Sequence, residues 1–336
     1  MKRRIPRWVM LLLFSSLGCG GASSGGTHRG VEERAAGEPD MAAMRALLER
    51  YSPTGMWIVR TYEAMPTTFV FGKTTSTVSS SGDFASYFDS SAPERVVDDI
   101  STGVHEVYHA LSFRLGYQLQ AEAKATELVD AEGHYVGGNA SPTLVRYTAV
   151  FPAREMDATF PADARATFRY STYVSPSTER QGTQQDGVFG LLDEWTAYLH
   201  GGRTVVDFWP WVRDEAPRTR EVYVKYRSRF QGIWESHGEF KLFILHYLVH
   251  ARERRPDVYR GLMSNESFRR AFIAADDAWT ALLASAAALE PSVVALAADR
   301  GAGNTTFHRD DAFPAVQARL ASEPYWAMLA ELRRGP

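Results

Sequence analysis

The 336-residue sequence predicts an α+β fold, with a small mixed sheet packed on one central helix and a mainly helical C-terminal part. Two patterns predict it. Short β-branched and aromatic runs alternate with helix-period segments up to residue 202, and beyond Arg203 helical periodicity takes over. Composition agrees, since 45% apolar and 23% charged residues are ordinary for a globular chain. The net charge of -3 comes without a basic stripe, so no nucleic acid is expected as a partner.

Residues 1–18 read as a targeting segment. Lys2, Arg3, Arg4 and Arg7 precede an apolar run, 8–17, that is too short to span a bilayer as a helix. With Ser16-Leu17-Gly18-Cys19 at its end, the segment resembles a bacterial lipoprotein signal, Ser16 standing where that pattern usually has Leu. The resemblance implies cleavage before Cys19 and a lipid on that cysteine. The protein would then be anchored to a membrane of the bacterial cell envelope. Cys19 is the only cysteine, which leaves the rest of the chain no disulfide and no thiolate nucleophile. Residues 19–40, rich in Gly, Ser and charge without periodicity, read as a flexible tether. No later uninterrupted run of eighteen apolar residues follows.

The globular part divides into a catalytic region, 41–202, and a helical region, 203–336, that completes a cleft. Met41, Met44, Leu47 and Leu48 give 41–50 helical spacing, while 56–62 and 68–72 have strand-like content. The polar stretch 74–90 reads as a loop. Ser91-Ala92-Pro93-Glu94 has the capping-box pattern with Pro in the first turn. Apolar positions then recur at Val96, Val97, Ile100, Val104, Val107, Tyr108, Leu111 and Leu115, predicting a buried amphipathic helix that stops at Gly116. Residues 144–151 and 166–174 read as strands and 175–187 as a polar loop. A second helix, 189–200, is closed by Gly201-Gly202. Helices over 219–253, 256–262, 265–289 and 313–333 complete the chain, with Pro256, Pro291 and Pro314 as punctuation.

His105-Glu106-Val107-Tyr108-His109 falls in the middle of the capped helix. Residues four apart share a helix face, so both histidines can aim a ring nitrogen at one Zn2+ ion. Glu106 can reach a water on that ion and act as general base, without itself being a ligand. A catalytic zinc needs a third protein ligand, and the continuation Ala110-Leu111-Ser112-Phe113 lacks the further Gly and His of metzincins. Glu194 is the leading candidate, because the acidic pair Asp193-Glu194 in an otherwise apolar helix needs compensation. Asp193 ranks behind it, since Glu194 shares a face with Leu191 and Tyr198.

These two motifs resemble the gluzincins, zinc peptidases related to thermolysin whose third ligand is a Glu on a later helix. The resemblance implies a zincin-like fold, zinc ligands His105, His109 and Glu194, Glu106 as base, and a peptide or protein substrate. Where that family has Asp four residues after the ligand Glu, this chain has Tyr198, whose phenol can take the role of orienting a zinc histidine. Residues 182–190, Gly-Thr-Gln-Gln-Asp-Gly-Val-Phe-Gly, also resemble an aspzincin element with one extra residue, which would make Asp186 the ligand instead.

An oxyanion donor is also needed, and Tyr170, Tyr173, Tyr198, His237, His246 and His250 are available. Tyr173 is preferred. His246 and His250 share the four-residue spacing, but no Glu follows His246 and the stretch is apolar, so a satisfied core pair is expected. Phe208-Trp209-Pro210-Trp211 reads as a packing plug or cleft wall. The expected function is a zinc metallopeptidase. Its rival is a zincin-like envelope lipoprotein that binds or supports without catalysis, although such proteins typically lose the base or a ligand and here all three residues are present.

Overall fold

A 27-residue helix organises the molecule, and it forms because its apolar residues recur on one stripe with no proline inside. The computed structural model describes residues 40–79, 82–88, 92–302 and 312–334. The signal segment, Cys19, the tether and the capping residue Ser91 lie outside the described residues. Two helices lead in, α1 (Met41–Tyr51), capped by the Asp40 side chain, and α2 (Pro53–Ala64). A hairpin of β1 (Thr68–Phe71) and β2 (Thr74–Thr77) and a short 3-10 helix, Phe84–Tyr87, precede the central helix α3 (Val96–Glu122). Val96, Val97, Ile100, Val104, Val107, Tyr108, Leu111 and Leu115 of α3 are all buried.

A second hairpin, β3 (Ala131–His134) with β4 (Thr143–Arg146), packs against α3. Two short turns, α4 (Tyr170–Tyr173) and α5 (Gly182–Gln185), lead to α6 (Val188–Asp207), the main neighbour of α3. Next come α7 (Trp209–Asp214), the long α8 (Arg220–Arg254), α9 (Pro256–Ser264), α10 (Glu266–Asp299), α11 (Phe313–Leu320) and α12 (Tyr325–Arg333). Helix α6 is sandwiched between α3 and α8, and Trp195, Trp279, Phe240 and Tyr247 fill the core around it. By length and composition alone α10 is apolar enough to cross a membrane, but Phe268, Phe272, Trp279 and Leu282 bury its first half in this core.

The broad α+β class holds, with helices predominating. Several finer expectations do not. Among the described residues, the single mixed sheet is replaced by two separate two-stranded antiparallel sheets, both in contact with α3. Residues 56–62, read as a strand, belong to α2, because Pro53 starts a helix and Met56, Val59 and Tyr62 fall on one buried face. The stretch 166–174 is a run of turns ending in α4, and strand β4 covers only the start of 144–151. The expected loop 74–90 holds β2 and the Phe84–Tyr87 turn.

Both glycine stops were misassigned by sequence. Helix α3 runs through Gly116, where a Cβ would sit 2.3 Å from the Ala131 carbonyl oxygen, so the glycine admits strand β3. Helix α6 likewise runs through Gly201, where a Cβ would lie 3.2 Å from the Ser101 carbonyl and 3.5 Å from His105 Cβ. The small residue brings α6 onto α3 at the histidine motif. The 202/203 boundary accordingly falls inside a helix. Pro291 lies within α10, which continues to Asp299, and 313–333 is split into α11 and α12.

Candidate metal centre

Helix α3 presents His105, Glu106 and His109, and α6 presents Asp193, Glu194 and Tyr198 opposite them. The two imidazoles meet edge to face, their centroids 4.8 Å apart and their Nε2 atoms 3.1 Å apart. Glu194 Oε2 lies 3.8 Å from His105 Nε2 and 3.6 Å from His109 Nε2. Among the described residues, His105, His109 and Glu194 form the one group of three His, Cys or acidic side chains with ligand atoms this close. Asp186 does not join it.

These residues fit a zinc ion. Ligand atoms of a tetrahedral zinc with bonds of about 2.0–2.1 Å stand about 3.3 Å apart, so the three atoms need move only a few tenths of an ångström. Glu194 Oε2 is buried without a hydrogen-bond partner, a costly state that a cation relieves. The far sides of the rings are occupied. His109 Nδ1 lies 2.5 Å from Asp193 Oδ2, and the His105 ring N–H is directed at the Ala197 backbone carbonyl, which accepts. Partners at those positions hold each ring with its Nε2 toward the shared point.

The electrostatics divide the pair. Burial holds His105 well below the ordinary histidine range, and His109, Arg229 and Arg169 push it the same way. Burial also opposes charge on His109, but Asp193 and Glu194 outweigh it and raise that ring well above its usual value. Glu106 is raised above the ordinary carboxyl range, first by burial and then by Glu194 and Asp193, with His109 partly offsetting. A carboxylate shifted upward is a better proton acceptor near neutral pH.

Tyr173 sits in the one-turn helix α4, not in a strand. Its buried hydroxyl is 3.2 Å from that of Tyr198, whose ring meets His105 edge to face at 4.5 Å. Burial, then Glu194 and Tyr198, raise the Tyr173 phenol well above its usual range, so it stays protonated at neutral pH. Tyr198 therefore packs on His105 through its ring, and the histidine-orienting part falls to Asp193 on His109. Arg169 lies over the Tyr198 ring at 4.6 Å and is ion-paired with Glu239 at 2.9 Å.

Other candidates lie elsewhere. His246 and His250 converge on the Thr159 hydroxyl at 3.1 and 2.8 Å, and His246 also meets Tyr325 Oη at 3.0 Å. His237 packs against Trp195 and Trp279, while Tyr170 bonds Asp157. Phe208, Trp209 and Trp211 are buried packing residues. Sequence reasoning ranked Asp193 only as a lesser ligand, although its adjacency to Glu194 could have suggested a ligand and an orienting group from one acidic pair. It missed Tyr87, whose buried hydroxyl has no hydrogen-bond partner and whose phenol is pushed up by burial and then by Glu106. No signal in the polar stretch around Tyr87 pointed there. Compared with protein-family models, curated proteins and solved structures, the chain matches none.

Proposed function

We propose that this chain is a zinc-dependent hydrolase, a zincin-like peptidase cleaving a peptide or protein substrate. The observation that carries the reading is the meeting of His105 Nε2, His109 Nε2 and Glu194 Oε2, the last buried without a hydrogen bond, with Glu106 beside them on α3. His105, His109 and Glu194 hold the ion, and Asp193 keeps His109 oriented. A zinc ion bound there would supply a Lewis acid for the scissile carbonyl and lower the pKa of a bound water. Glu106 accepts the proton of the attacking water and delivers it to the departing amine as the C–N bond breaks. Tyr173, paired with Tyr198, is the donor assigned to the developing oxyanion. In the same reading a lipid on Cys19 and the 19–40 tether hold this site at a membrane of the bacterial envelope.

The test is Glu106→Gln assayed on fluorogenic peptides alongside its zinc content. Retained zinc with hydrolysis lowered by about 10²- to 10⁴-fold is expected of a general base. Unchanged hydrolysis would contradict the assignment.

A further inference from the structure

The buried ion pair of Arg169 and Glu239 stands beside the metal centre and has no part in the mechanism above. Arg169 is 7% exposed and Glu239 2%. Glu239, on α8, grips Arg169 twice. Its Oε2 accepts from the Arg169 backbone N–H at 2.8 Å, and its Oε1 from Nη1 at 2.9 Å. The Arg169 carbonyl accepts in turn from the amides of Thr172 and Tyr173, at 3.2 and 2.9 Å, which starts α4. The guanidinium lies over the Tyr198 ring, 4.6 Å from its centroid, and its buried Nε–H has no hydrogen bond. One residue thus engages both tyrosines, Tyr173 through its backbone and Tyr198 through its side chain. Phe240, next to Glu239, backs the two rings at 4.9 and 5.1 Å.

Taking two charges out of water is expensive, and an apolar pair of similar volume often serves stability as well or better. A buried N–H left unbonded adds to that cost. What the pair secures is geometry at the site. The hydroxyls of Tyr173 and Tyr198 stand 3.2 Å apart, and the Tyr198 ring meets His105 edge to face at 4.5 Å. A guanidinium suits this task because it is planar and can stack on a ring while its fork stays with a carboxylate.

We infer that Arg169, clamped by Glu239, is a positioning residue of the proposed reaction, holding the Tyr173–Tyr198 hydroxyl pair in place beside His105. The inference rests on the zinc-hydrolase reading, in which Tyr173 meets the developing oxyanion. Arg169 acts through the two tyrosines, and Glu239 ties them to α8.

The test is steady-state hydrolysis of a fluorogenic peptide by the full-length protein, with its zinc content and its affinity for the phosphonate analogue of that peptide, a stable mimic of the tetrahedral oxyanion. Arg169→Met with Glu239→Met removes both charges at once, so neither is left buried alone. This variant should keep its zinc and lower kcat about 10- to 100-fold, as expected of a displaced oxyanion donor. KM should stay within about threefold, because the lost interaction belongs to the transition state. Phosphonate affinity should fall by the same factor as kcat. In a Tyr173→Phe background the two substitutions should lower kcat no further, since they act through that hydroxyl. Wild-type kcat, loss of zinc, or losses that multiply with Tyr173→Phe would overturn the inference. Should the double variant not fold, Arg169→Lys takes its place. It keeps a charge for Glu239 but no planar group over Tyr198, so the same fall in kcat is expected and wild-type kcat would overturn the inference. Wild-type protein without zinc or hydrolysis would overturn the zinc reading itself. A zinc-loaded, active wild type with multiplying losses overturns only this inference.

Discussion

The carboxylate of Asp193 holds the imidazole of His109, with Oδ2 and Nδ1 2.5 Å apart, while the next residue, Glu194, brings its own carboxylate within 3.6 Å of the other nitrogen, Nε2. One acidic pair on α6 thus serves both nitrogens of one histidine. If the outer carboxylate orients the ring, Asp193→Ala should weaken zinc about 10- to 100-fold, and Asp193→Asn less, since its amide oxygen still accepts the Nδ1 proton. Chelator competition reads both, and equal affinity in all three proteins would contradict the role.

Metal binding should release a proton. In the metal-free chain burial works against charge on His109, but Asp193 and Glu194 raise it well above the ordinary histidine value, so it is protonated at neutral pH. Zinc requires the neutral ring, so about one proton leaves on binding and affinity rises with pH. Calorimetry in buffers of different ionisation enthalpy measures that proton. A binding reaction with no proton release near pH 7 would contradict it.

Much of this centre was legible in sequence, and the reasons are geometric. His105 and His109 are four apart on a strongly periodic helix, which fixes their common face before any tertiary contact is known. Glu194 was legible because an acidic pair in an apolar helix demands compensation. Which acid would face the metal was a matter of how α6 rotates on α3, and sequence alone gave Asp193 too small a part. The choice against Asp186 also depended on tertiary packing. Glycine was misread for a related reason. Gly116 and Gly201 look like helix ends, yet they are contact points whose meaning depends on the partner element, Ala131 in one case and Ser101 with His105 in the other. Strand-like stretches such as 56–62 became helical where burial against neighbouring helices overrode local preference.

Gly116 offers a direct check of that reading. An uncrowded position inside a helix would gain from Ala, but here the added Cβ would meet the Ala131 carbonyl at 2.3 Å. Gly116→Ala should therefore destabilise the fold by about 1–3 kcal/mol despite better helix propensity. Urea denaturation decides it, and a stabilised variant would contradict the packing account.

Asp207, near the end of α6, accepts a hydrogen bond from Ser52 at 2.7 Å, and burial pushes its carboxyl up to about 6. The folded state therefore favours the protonated acid. That contribution is fully present below the unfolded value of about 4 and is lost as pH rises through about 6. Asp207→Asn should be more stable than wild type by about 1–3 kcal/mol at pH 8 and nearly equal to it at pH 4. Thermal melts at the two pH values check the sign. A variant less stable at pH 8 than at pH 4, relative to wild type, would contradict it.

In the proposed function His105, His109 and Glu194 hold zinc that Glu106 uses without binding it. The most direct measurement is the metal content of protein purified without chelators, taken for wild type, His109→Ala, Glu194→Ala and Glu106→Gln together with peptide hydrolysis. About one zinc per chain is expected in wild type and Glu106→Gln, with loss of zinc in the other two and hydrolysis only in wild type. Wild-type protein without zinc, or full hydrolysis by Glu106→Gln, would contradict it.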